Sequence, residues 1–538
     1  MSEDESPAPA TPITPAAYPP WGVPVPSTGP PVVRPAAGTT LAVPIPPATP
    51  PLNPYAVHPA RPLFGERWTG PQDAPSRRML AAAVASGVAA AVALPDGPRG
   101  VGWFVTALVA AVSLVLVARA SPRNPLPAVD LAWAGAALAL AAVGTVRDAG
   151  WLDALCLLAA CGAGSIAVAG NGFRGVVAGA LAVPVAALRS VAWLRRSART
   201  GRSPIGAARL RLAVSLIVGL IALAVFAPLL VSADAAFAHV LDDLVPTVDG
   251  GSLTRWVVLF CLAGVGVLGG SFLLAAPPPL AVDQPVRPSR LRKLEWALPV
   301  GLVTALFALF VGVQFATLFG GDGYVLRTTG LTYAEYARSG FWQLLAVTVL
   351  ALGVIMAGSR FAPELTASDR AWKRGLLAAL ACNTLVIVAS ATSRMWLYQQ
   401  AYGFTVQRLI VLTCELWLGV AFLLVLGAVL RLNARGLTRG IAAAGTAALL
   451  GLAVLNPEGF IAAHNVARLG STGQLDDAYL ATLSNDAVPA LDRLPEPVRS
   501  CVLARIAAHN PADAGWQGWT VAGSLAAGTL PGAAVCRN

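Results

Sequence analysis

The chain has 538 residues, of which 56% are hydrophobic and only 12% charged, with a formal net charge of +11. Soluble domains carry about 25% charged residues, so this composition excludes an ordinary soluble globule. The basic balance does not point to nucleic acid, because the basic residues gather beside apolar stretches, where membrane retention and anionic lipid explain them.

Residues 1 to 75 are rich in Pro and Ala, with pairs such as Pro30-Pro31 and Pro46-Pro47, and show no hydrophobic periodicity. Proline removes backbone donors and the segment has little to bury, so a disordered or polyproline arm is expected. No basic start followed by an apolar core marks it as a signal peptide. The arm is a plain flexible tail or a docking segment for a membrane or cytoplasmic protein partner.

From Met79 to Asn456 a ladder of about eleven apolar stretches follows: 79–95, 101–118, 129–146, 151–170, 210–232, 254–275, 296–319, 341–358, 375–392, 409–430 and 440–456. About 20 apolar residues cross a bilayer as a helix, and a helix satisfies its own backbone there. The expected fold is therefore an all-α, polytopic transmembrane helix bundle embedded in a lipid bilayer. With the N-terminus inside, the arginine-rich loops all fall inside: Arg119 and Arg123, the run from Arg174 to Arg211, Arg287 to Lys293, Arg360 to Arg374, and Arg431 to Arg439. The opposite loops carry Asp96 with Arg99, Asp148 and Asp153 with Arg147, Asp234, Asp242, Asp243 and Asp249 with Arg255, Asp322 and Glu335 with Arg327 and Arg338, and Arg394 with Arg408. This asymmetry predicts N-in, C-out.

Residues 175–194 are apolar enough for a further span. Counting them would carry Arg195, Arg196, Arg199 and Arg202 outside and invert every later loop, so they read as a cytoplasmic interfacial or re-entrant helix. Beyond Pro457 the tail reads as a small extracytoplasmic helical cap, with an N-cap at Ser484 or Asn485 and an amphipathic stretch from Pro497 to Ala508. Cys501 and Cys536 are the only cysteines there. In an oxidising compartment they are expected to form a disulfide that stabilises the tail by about 3–4 kcal/mol. The domain reading is a 1–75 arm, 76–208 N-terminal helices with the basic segment, a 209–456 core and a 457–538 cap.

The chemistry-bearing residues are few. Glu415 lies inside a span, where a charge costs about 2.5–3.5 kcal/mol. It is read either as an ion or proton site or as the partner of an arginine such as Arg394. Gln314, Gln343 and Asn383 read as amides bonding across helices or as the lining of a solute path. Gly266 and Gly270 form one GxxxG. On the outer loops, Asp234, Tyr333, Glu335, Arg338, Arg394 and Tyr402 form a candidate polar site, weighed against interfacial anchoring and loop salt bridges. No His/Cys metal spacing, Walker loop, HExxH, GxSxG or CxxC occurs, so no metal, cofactor or catalytic residue is expected.

Several strings carry a resemblance. They are Val231-Ser232-Ala233-Asp234-Ala235-Ala236-Phe237, Leu331-Thr332-Tyr333-Ala334-Glu335-Tyr336-Ala337-Arg338, Ser393-Arg394-Met395-Trp396-Leu397-Tyr398, Asn456-Pro457 with His464-Asn465-Val466-Ala467-Arg468, and Leu483-Ser484-Asn485-Asp486-Ala487-Val488-Pro489. Over roughly Arg209 to Leu494 the chain resembles the bacterial integral membrane family of the domain of unknown function 4173, with its relative 4153. The resemblance implies architecture and location, in the inner membrane, and no activity. The expected function is that of a non-enzymatic membrane scaffold or sensory subunit, with a transporter of a small polar or lipid-like solute as the alternative.

Overall fold

The computed structural model describes residues 70–94, 100–120, 127–169, 173–200, 250–276, 292–319, 341–434, 436–509 and 515–530, with Ser215 and Gly219. All of them belong to one compact unit that starts at Ala60. Among the described residues the structure is helical, with no strand. The long helices are α1 (Arg77–Ala93), α2 (Val101–Arg119), α3 (Ala128–Ala141) continued by the short α4 (Val143–Val146), α5 (Gly150–Ala169), α6 (Phe173–Thr200), α7 (Gly250–Ala275), α8 (Lys293–Phe319), α9 (Phe341–Phe361), α10 (Ala367–Tyr402), α11 (Val406–Arg431) and α12 (Leu437–Leu455). The cap follows as α13 (Pro457–Thr472), α14 (Asp477–Leu480), a 3₁₀ turn at Asn485–Ala487, α15 (Val488–Leu491), α16 (Val498–His509) and α17 (Val521–Ala526).

Nine of the helices among the described residues are long and apolar enough to cross a membrane, from Val101–Arg119 through Leu437–Leu455. Their large apolar side chains face outward, with Leu262, Leu309, Leu350 and Val454 each more than 65% exposed. In water that surface would be prohibitive; in lipid it is the solvated face. The chain is thus a multi-pass integral membrane protein. The expected stretch 79–95 forms α1, whose 17 residues fall at the lower limit for crossing a bilayer. Apart from Ser215 and Gly219, the expected stretch 210–232 lies outside the described residues, as does the Pro-rich arm through residue 69.

Two apolar cores sit at opposite ends of the same helices. In α5, Leu152 and Cys156 belong to the core shared with the cap, while Val168, four turns on, belongs to the core around Trp193 of α6 and Phe272 of α7. The two rings meet edge-on with centroids 5.6 Å apart. That second core takes in Met79 and Ala82 at the start of α1, Val117 and Ala118 at the end of α2, and Leu273 and Leu274 at the end of α7. The described contacts of residues 182–194 therefore fall at one end of the bundle.

Glycine makes the close crossing there, but not at the expected GxxxG. Gly266 faces open space, and Gly270 meets only the Leu114 side chain. It is Gly269 that approaches backbone: a Cβ added to it would lie 2.7 Å from the Ala187 nitrogen and 3.1 Å from the Val183 carbonyl oxygen. Gly270 and Gly269 thus admit two neighbours closely, α2 and α6, because one step along a helix turns a side chain by about 100°.

Candidate functional site

The most developed polar constellation joins the cap to the bundle. It begins with Asn456, which leaves α12 with φ 55° and caps α13 by accepting the Gly459 N–H at 3.2 Å. Pro457 at the first helical position fixes the turn. This orients Glu458 inward, where it is 4% exposed. One Glu458 oxygen accepts the Trp151 indole N–H at 2.9 Å, and the other accepts the Ser484 amide at 2.5 Å.

Asp486 forms the second anchor, 3% exposed, on the 3₁₀ turn of the cap. Its Oδ2 accepts the backbone N–H groups of Asp148 at 2.6 Å and Ala149 at 3.0 Å, the free donors before the first turn of α5. Its Oδ1 meets the Arg147 guanidinium at 3.5 Å. Arg147 also donates to the Ala453 carbonyl at 2.7 Å, so one side chain ties α5's entry, the end of α12 and the cap together. Asn485 donates to Asp148 Oδ2 at 2.7 Å. Burial pushes the carboxyls of Asp486, Glu458 and Asp148 above their ordinary range, and Asp148 is raised further by Asp486 beside it.

A second clamp holds the α10–α11 connection. Asn465 of α13 brackets Phe404 by accepting its N–H at 2.9 Å and donating to its carbonyl at 2.8 Å. Arg468 donates to the Ala401 carbonyl, and the Tyr479 hydroxyl accepts the Val406 N–H at 2.8 Å. Arg408 lies 4.5 Å over the Tyr398 ring and donates to the Gly403 carbonyl at 2.6 Å. An open groove of about 640 Å³ runs past Thr405, Arg408, Val411 and Tyr479. This arrangement can bind and fix. Among the described residues no group of three His, Cys, Asp or Glu side chains could hold a metal ion.

Of the residues singled out from the sequence, Glu415, Arg394 and Tyr402 lie among the described residues. Glu415, 3% exposed, lies nine residues into α11 and faces Thr392 of α10. Arg394, two residues further along α10, donates instead to Gln314 Oε1 of α8 at 2.5 Å. Among the described residues no ion pair joins Glu415 to Arg394, so the expected pairing is replaced by an arginine–amide bond between α10 and α8. A helix turns about 200° over two residues, which sends these side chains to different neighbours. Tyr402 closes α10, 52% exposed, with its ring 4.9 Å from Tyr398. Asp234, Tyr333, Glu335, Arg338 and Cys536 lie outside the described residues. Cys501 is disulfide-bonded.

A family model described as Domain of unknown function (DUF4153) matches residues 134–494, about two thirds of the chain. No curated protein and no solved structure matches it. The match is to the 4153 domain, named from the sequence strings as the relative of 4173. It begins at residue 134 rather than near Arg209, so it takes in α5 and Arg147, Asp148 and Trp151 as well as Glu458, Ser484 and Asp486.

Proposed function

The chain belongs to the DUF4153 family of domains of unknown function, and from that premise we propose that it is a non-enzymatic membrane scaffold or sensory subunit of a bacterial cell membrane. Its cap, held on the extracytoplasmic end of the bundle, is the platform that a protein partner reads. The single observation that carries this reading is the Arg147–Asp486 and Trp151–Glu458–Ser484 mount. Buried charges of this kind add little net stability but specify one geometry, because each partner left alone is costly. A fixed cap transmits or presents a position; it does not gate a path.

The test is co-purification of full-length protein from its native membrane, compared with Asp486→Ala. That variant leaves Arg147 and two backbone N–H groups without their acceptor, a loss of about 3–5 kcal/mol in the cap. The expected result is a stoichiometric protein partner retained by the parent chain and lost from Asp486→Ala while the bundle stays monodisperse. Retention of the partner in both would remove the cap from the reading. A second reading, transport of a small polar or lipid-like solute, rests on Glu415 buried within a span. Solute uptake into proteoliposomes that disappears in Glu415→Gln would favour it.

A further inference from the structure

The segment that closes the chain's described part carries two tryptophans whose placement the mount does not explain. Residues 515–519 form a turn, with the Trp519 N–H donating to the Trp516 carbonyl at 3.4 Å, so both indoles leave one short piece of backbone. They are 53% and 48% exposed. Three other tryptophans are used differently. The indole N–H groups of Trp151, Trp193 and Trp417 each donate to a protein oxygen. Those of Trp516 and Trp519 have no protein partner among the described residues.

The level of this turn along the bundle is set by hydrogen bonds. The first two N–H groups of α2 have no acceptor within their own helix. Val101 donates to the Trp519 carbonyl at 3.1 Å and Gly102 to the Gln517 carbonyl at 3.0 Å. Gly100 and Gly518 pass so closely that a Cβ at Gly100 would lie 2.8 Å from the Gly518 Cα. Nothing larger separates the turn from the start of the span. The 19 residues of α2 rise about 28 Å, close to the roughly 30 Å hydrocarbon thickness. Only 22% of the helix is buried in the protein, which with its length fits a lipid-facing span that has its ends near the two hydrocarbon boundaries. The turn bonded to its first residue is therefore at one boundary, whichever side of the membrane that is. An indole reaches only a few ångströms and stays within the headgroup layer, about 5–7 Å deep on each side. Indoles suit that layer, with an apolar ring towards the chains and an N–H towards water and ester oxygens.

We propose that Trp516 and Trp519 form an interfacial membrane anchor that seats the C-terminal end of the cap in the lipid headgroup layer beside α2. The occupant of this surface is lipid, argued from its continuity with the lipid-facing side of α2. The inference does not depend on the scaffold reading. It places this part of the cap against the bilayer, not out in the aqueous phase.

The test uses the full chain in nanodiscs of phosphatidylcholine and phosphatidylglycerol, with the photoreactive aromatic p-benzoylphenylalanine at one position. Trp516→p-benzoylphenylalanine exchanges one exposed ring for another. Leu416, 55% exposed on α11, supplies the lipid-facing control, and exposed Glu496 the aqueous one. After irradiation, intact-mass spectrometry is expected to show phospholipid adducts at 516 comparable to those at 416 and at least fivefold above those at 496. A yield at 516 no higher than at 496 would overturn the proposal. So would a crosslink from 516 to protein alone. As an independent readout, quenching of tryptophan emission by lipids brominated near the headgroup should fall in Trp516→Phe/Trp519→Phe. Unchanged lipid quenching with reduced aqueous iodide quenching would contradict it.

Discussion

Glu415 and Arg394 carry the sharpest contrast between what one side chain could do and what it does. Each is costly inside a span, and on adjacent helices the economical expectation is that they neutralise one another. The structure gives each its own neighbour instead, Thr392 for Glu415 and Gln314 for Arg394. Residues that share no partner contribute independently. Thermal unfolding of Glu415→Gln, Arg394→Gln and the double variant in detergent should give losses that add to within about 0.5 kcal/mol. A double variant no worse than the poorer single variant would restore the ion pair. The sequence could place both residues at similar depth in neighbouring helices. It could not say which way each turned, because the apolar face of a lipid-exposed helix is not confined to one side and gives no phase.

At the scale of elements, the spans were legible because bilayer thickness sets a length and lipid sets a composition, and both are local properties of the chain. The amphipathic stretch 497–508 was legible for the same reason and appears as α16, with Val502, Leu503 and Ile506 buried. Ser484 caps the 3₁₀ turn as its type suggested. The mount was not legible. Arg147 and Asp486 are 339 residues apart, and no periodicity relates them. The string that holds Ser484 and Asp486 marked a resemblance without showing what those residues touch.

Two expectations belong to this scale. Gly269 lets α6 cross α7 in backbone contact, so Gly269→Leu must push α6 away. Its stability loss should be about 1–3 kcal/mol by overpacking, read from the thermal midpoint. Gly266→Leu, facing open space on the same helix, should cost little. The second concerns pH. Burial raises the folded-state pKa of Asp486, Glu458 and Asp148. A carboxyl raised on folding contributes stability that is fully present below its unfolded value, about 3.9 for Asp and 4.3 for Glu, and lost as pH rises through the folded value. Protease resistance of the cap should therefore increase as pH is lowered from neutral towards those unfolded values. Exposed Glu496 is shifted the other way, first by its bond from Ser500 and then by Arg499, so its contribution is lost only as pH falls below its ordinary range. A steady loss of resistance from pH 7 downward would show that the buried carboxyls are not the groups that titrate.

For the whole molecule, the organising fact is polarity along the bundle axis. One end carries the cap, built on Leu140, Leu152, Phe404 and Leu452. The other carries α6 and the basic turns, where Lys293 donates to Ser368 and Lys373 bonds Glu364 at 2.6 Å. On the proposed orientation, which rests on the charge asymmetry of the loops, the basic end faces the cytoplasm and the cap, with the disulfide at Cys501, faces an oxidising compartment. The most direct measurement is the accessibility of introduced cysteines to a membrane-impermeant maleimide in intact and permeabilised cells. Glu496→Cys on the exposed face of the cap should label in intact cells. Ser368→Cys at the start of α10 should label only after permeabilisation. Labelling of both before permeabilisation, or of Ser368→Cys alone, would contradict a bundle that holds its cap outside and its basic end within.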